Sequence, residues 1–132
     1  MDGNAALESM IARMRGLEGF EAAVAREAAP LVEAAARQTA AAGTDPAGAA
    51  WAPKKSGGRA LANAATKITA VPRGARVDIV LEGVEVYHQH GVEGGPPKRK
   101  IIPDVGDPVP PAIAAALHEG ASRVFARTMG AR

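Results

Sequence analysis

Apolar residues recur with helical spacing through the first third of the chain. Leu7, Met10, Ile11 and Met14 fall at i, i+3, i+4 and i+7, which predicts an amphipathic helix over residues 4–15, interrupted by Gly16 and Gly19. A longer helix is predicted over 20–42. Phe20, Val24, Leu31 and the run Ala34–Ala36 supply its apolar side, and Gly43 is its natural stop. Pro30 lies inside that pattern; its ring removes one hydrogen bond and crowds the preceding turn, which predicts either a kink, the reading preferred, or a new segment starting at Leu31. Between 43 and 60 the periodicity vanishes among Gly43, Pro46, Gly48, Pro53 and Gly57-Gly58, the signature of a long loop.

The period then changes from helical to alternating. Thr66, Ile68 and Ala70 alternate with Ala65, Lys67 and Thr69. Pro72-Arg73-Gly74 reads as a turn, and Val77, Ile79 and Leu81 alternate with Arg76, Asp78 and Val80, so the two runs predict an antiparallel hairpin. Val84–His90 reads as a third strand after Gly83. Residues 92–99 read as loop, and Lys100–Ile102 as a short edge strand before Pro103. Pro110-Pro111 opens a last helix over 111–128, with Ile113, Leu117, Val124 and Phe125 on one face. The expectation is an α+β domain with N-terminal helices, a small antiparallel sheet of three to four strands, a C-terminal helix and long loops. At 132 residues it is one domain, 1–132.

Composition sharpens this picture. Thirty-one residues are alanine and only four are aromatic, so each buried position contributes less than the roughly 1.5–3 kcal/mol of a buried leucine. Such a chain gains stability by burying further surface against copies of itself or a partner. The sequence has no cysteine, hence no disulfide and no thiolate metal site. No apolar run approaches 18 residues, and Met1-Asp2-Gly3-Asn4 lacks a signal-peptide pattern, so a soluble protein made in the cytoplasm is expected, with no membrane partner.

The net charge of +2 hides a blocky distribution. Residues 51–77 hold six bases (Lys54, Lys55, Arg59, Lys67, Arg73, Arg76) and no acid. Residues 78–96 hold four acids and no base, and Lys98-Arg99-Lys100 follows. Opposite blocks suit docking of one subunit onto the next. The basic segments could also contact DNA phosphates, although neither carries aromatic residues to stack on bases, which argues against sequence-specific or single-strand recognition. On a strand His88 and His90 would share a face and could grip one metal, with Asp104, Asp107 or His118 as a third ligand, the basis for an alternative reading as a small metal-dependent hydrolase. The spacing matches no recognised metal-hydrolase pattern. By the same alternation Tyr87 and Gln89 would share the opposite face, and Gly91 would permit a backbone conformation or close approach that a side chain blocks. Trp51 is expected to anchor the long loop, on its own core or in a neighbour. No Ser/His/Asp arrangement, phosphate-cradling loop or paired catalytic carboxylates stand out, and Gly57-Gly58 and Gly94-Gly95 lack the strand-turn-helix context of a nucleotide loop. No cofactor is expected.

Three segments, Trp51-Ala52-Pro53-Lys54, Tyr87-His88-Gln89-His90-Gly91 and Pro97-Lys98-Arg99, occur in an order that resembles the virion morphogenesis (tail completion) proteins of Mu-like tailed phages. The family typically shows histidine immediately before glutamine and an apolar or aromatic residue before the glycine. Here His90 takes that last place, and Arg99-Lys100 stands where relatives tend toward Arg-Pro. The resemblance implies a structural, non-enzymatic virion protein of the neck or tail end. It would be a homo-oligomeric, six-fold ring assembled in the host cytoplasm, contacting neighbouring head-closure and tail-terminator rings while genomic DNA passes through its lumen. Trp51, Lys54, Tyr87, His88, Gln89, His90, Gly91, Lys98, Arg99 and Lys100 are then candidate assembly residues. The loops 43–60 and 91–110 become arms toward neighbours, and the isolated protein is expected to be monomeric or weakly associated.

Overall fold

The computed structural model describes residues 3–15, 18–54, 57, 60–91, 93, 98–104 and 106–129. Of the positions singled out above, Gly16, Lys55, Gly58, Arg59, Gly94, Gly95 and Pro97 lie outside these, as does the side chain of Met14. The elements run α1 (Gly3–Arg15), α2 (Phe20–Ala41), a 3-10 helix (Ala64–Lys67), β1 (Ile68–Arg73), β2 (Arg76–Leu81), α3 (Glu85–His90) and α4 (Pro111–Thr128).

The long helix α2 is the spine: α4, the hairpin and the 3-10 helix all pack on it, whereas α1 makes no extended contact with any element. Pro30 sits exposed within α2, which continues through it as one helix. The buried face of α2 is built almost wholly of small residues: Ala25, Ala28, Ala29, Val32, Ala36 and Ala40. Their smallness lets α4 come close. A β-carbon at Gly120 of α4 would lie 2.7 Å from Cβ and 2.9 Å from Cα of Ala28, inside van der Waals contact. The alanines therefore stabilise by close backbone approach rather than by area. Two apolar clusters result. Ala28, Val32, Ile113 and Ala116 lie between α2 and α4, and Ala36, Ala40, Ala64, Ile68 and Ile101 lie beneath the hairpin, with Trp51 packed against them.

Among the described residues the sheet has two strands rather than three to four, β1 and β2 antiparallel with Ile68 opposite Leu81 and Arg73 opposite Arg76. The outer edge of β1 is occupied by side chains of α2 instead of a third strand. The Ala70 N–H donates to Glu33 Oε1 (3.0 Å), and Arg37 Nε donates to the Ile68 carbonyl (2.9 Å). This carboxylate and guanidinium take over the hydrogen bonds a neighbouring strand would make.

The expected third strand, Val84–His90, is corrected to a helix. Six residues are too few for an alternating pattern to exclude a helical one. Here the i, i+4 relation prevails, putting Glu85 and Gln89 together on the buried side. The expected edge strand at Lys100–Ile102 is likewise corrected: the segment is irregular, with a bend at Ile102 and no strand partner, and the reason lies in Gln89.

Candidate functional site

Gln89 points from α3 into the chain at 101–104 and uses its whole amide. Its Oε1 accepts from the N–H of Ile101 (2.7 Å) and of Ile102 (3.0 Å), while Nε2 donates to the Ile102 carbonyl (2.8 Å) and to Asp104 Oδ1 (3.0 Å). An amide that both donates to and accepts from one residue's backbone imitates a rung of a β-ladder, so this segment needs no strand beside it.

Arg99 does the same for the tryptophan loop. It is only 6% exposed, and its guanidinium donates to the carbonyls of Ala52 (2.8 Å) and Pro53 (3.1 Å) and to Nδ1 of His88 (2.9 Å). Its backbone N–H donates to the His88 carbonyl (2.7 Å). Trp51 closes the circuit by donating from Nε1 to the Lys100 carbonyl (2.8 Å). Lys100 reaches Asp107 (2.7 Å) and Asp104 (3.3 Å), and Lys98 is the outermost of the triplet, 4.0 Å from Asp104. Three segments distant in sequence are thus tied into one polar knot.

Protonation follows from the geometry. Burial, and then the Arg99 guanidinium, hold the His88 imidazole below its ordinary pKa, so the neutral ring accepts at Nδ1 and carries its proton on Nε2. The hydrogen bond from Gln89, followed by that from Lys100, lowers the Asp104 carboxyl. The bond from Lys100, followed by the Asp104 N–H (2.9 Å), lowers Asp107. The Lys100 ammonium is raised, chiefly by Asp107. Glu85 is buried at the start of α3, and its Oε2 has no hydrogen-bond partner.

Of the candidate assembly residues, Trp51, His88, Gln89, Arg99 and Lys100 meet in the knot. Gly91 ends α3 with φ of +73°, and the Lys98 backbone nitrogen passes 3.4 Å from where its β-carbon would stand. Tyr87 and His90 do not join: Tyr87 is 60% exposed, and His90 and Lys54 lie on the surface. Trp51 anchors its loop on its own core, and hydrogen bonds from Arg99 and Gln89 tie 52–53 and 101–104 to the domain, while Lys54, Gly57 and Glu93 are exposed. The basic triplet divides: Arg99 is buried, Lys100 is paired with Asp107 and Asp104, and Lys98 stands outermost.

The metal reading loses its geometry. On α3, residues two apart differ by about 200°, so His88 turns inward to Arg99 while His90 faces outward, and the shared face of a strand does not exist. The placement of Tyr87 with Gln89 on one face falls for the same reason. Among the described residues no three His, Asp or Glu side chains converge as metal ligands, and no helix is long and apolar enough to cross a membrane. Sequence reasoning noticed Asp104 and Asp107 only as metal ligands; their acid-rich spacing after the Lys98-Arg99-Lys100 triplet was the available sign of internal pairing. No protein-family model, no curated protein and no solved structure matches this chain.

Proposed function

We infer that this chain is a structural subunit of a tailed-phage virion or phage-like particle. It acts in tail completion and head–tail joining as one member of a closed ring at the neck. The observation that carries the reading is the exposed apolar stripe of α1: Leu7, Met10 and Ile11 are 55%, 59% and 39% exposed on a helix that makes no extended contact with the other elements among the described residues. An apolar face of this kind is a docking surface, and subunits that assemble have a use for one. Support also comes from the knot. The short motifs through which the sequence resembles the Mu-like tail completion proteins lie on Trp51, Pro53, His88, Gln89 and Arg99. Arg99 binds Pro53 and His88, while Trp51 and Gln89 bind the segment 100–104, so these side chains tie loops together rather than surround a substrate cleft. Motifs with that role belong to a framework protein. The proposed neighbours are identical subunits and the head-closure and tail-terminator rings, with DNA passing through the lumen without sequence-specific contacts.

Electron microscopy of particles produced with and without this gene product tests the reading. Its loss is expected to leave filled heads and separate tails, with antibody label at the neck of complete particles. Joined, infectious particles lacking the chain would refute it.

A further inference from the structure

We propose that α1 of one subunit docks into an apolar groove of the next copy of this chain, between the start of α2, β2 and α4. The proposal rests on the assembly reading above and names the two surfaces that carry it. The groove, about 220 Å³, is lined by Val24, Ala25, Val77, Ile79, Ile113 and Leu117. It shares Glu21 and Ala75 with a wider surface hollow of about 560 Å³ walled by Phe20 and Phe125, and Phe125 is 54% exposed. An exposed apolar helix face and an apolar groove thus occur on the same molecule.

Length and charge agree. The thirteen residues of α1 span about 20 Å, and the groove runs along α2 from Glu21 to Val32, about 17 Å. The groove is flanked by one acid and one base, Glu21 and Arg76, the latter also paired with Asp78. Glu8 and Arg15 stand seven residues apart on one side of the α1 stripe, about 10 Å along the axis. Seating Glu8 toward Arg76, at the hairpin end of the groove, sets the direction of the helix along α2. Helix and groove are different patches, so the contact is heterologous. Each subunit gives one helix and receives one, and the chain of contacts closes into a ring where the rotation permits.

The absence of cysteine makes the test direct. The full chain carrying both Ile11→Cys and Leu117→Cys, oxidised mildly at high concentration, is expected to give a ladder of disulfide-linked dimers, trimers and larger species. A mixture of the two single variants is expected to stop at the heterodimer. Adding Leu7→Asp should cut the ladder at least tenfold with the thermal melt unchanged, because Leu7 is exposed in the monomer. Arg76→Glu should weaken cross-linking, and Glu8→Arg should restore it. A disulfide within one chain would place α1 on its own groove and overturn the proposal. So would the absence of cross-links. If native mass spectrometry still finds oligomers in that second case, the assembly reading survives and only this interface fails. If no oligomer forms and particles lacking the chain are complete, both fall.

Discussion

Between α2 and α4 the backbones approach until Ala28 meets Gly120 with no room for another carbon. Between the tryptophan loop and residues 98–104, by contrast, side chains span the gap and hydrogen-bond to backbone groups. The first contact is apolar, repetitive and built from residues that lose little entropy on burial. The second is polar, and Gln89 and Arg99 each serve several backbone groups, so the loss of either strands more than one. A chain poor in large apolar residues thus uses two devices. It brings helices close where it has periodicity, and ties loops with a few long side chains where it has none.

The largest test of that contrast is Gln89→Glu. It removes both amide donors and sets a carboxylate against the Ile102 carbonyl and Asp104, and should cost about 3 kcal/mol at neutral pH in chemical denaturation. A loss below about 1 kcal/mol would mean that the knot does not hold the loops. Arg99→Lys comes next, at about 2–3 kcal/mol, because one ammonium cannot span three acceptors set for a planar fork. On the helical side Gly120→Val should cost about 1–3 kcal/mol by forcing α4 away from Ala28, despite valine's better helix propensity. Stabilisation by this substitution would show that the close approach is dispensable. Trp51→Phe keeps the packing and deletes one hydrogen bond, for about 1 kcal/mol.

The smallest effect is with pH, and its upper step belongs to the knot. His88 has a lowered pKa in the folded state, so the unfolded chain binds the extra proton first. Its contribution is complete above about pH 6.5 and is lost as pH falls below that value toward the lower folded one. The carboxyls of Asp104 and Asp107, and that of Glu27 on α2, which the hydrogen bond from Arg127 lowers, contribute above the ordinary carboxylate range and lose their share as pH falls further. Equilibrium unfolding against pH should therefore decline in two steps, and His88→Asn should flatten the upper step only.

Four stretches of this molecule were legible from spacing. Leu7-Met10-Ile11, the alanine face of 20–42, the alternation of Val77, Ile79 and Leu81 and the run opened by Pro110-Pro111 became α1, α2, β2 and α4. The residues expected to begin the first strand instead form the 3-10 helix Ala64–Lys67, and Pro72 and Arg73 continue β1, so the turn falls at Gly74-Ala75. Local periodicity suffices for those four because one face of each pattern is apolar. It did not suffice for Glu85–His90, where six residues satisfy two periods and burial of Glu85 with Gln89 chose the helix. Nor could spacing show that Glu33 and Arg37 would occupy a sheet edge, or that Arg99 would find the carbonyls of Ala52 and Pro53 across 46 and 47 residues of chain. Sequence order determined which residues could form helices and strands. Only the tertiary structure decided which charged and amide side chains turn inward, because a buried donor is satisfied by whichever acceptor the packed backbone brings within 3 Å.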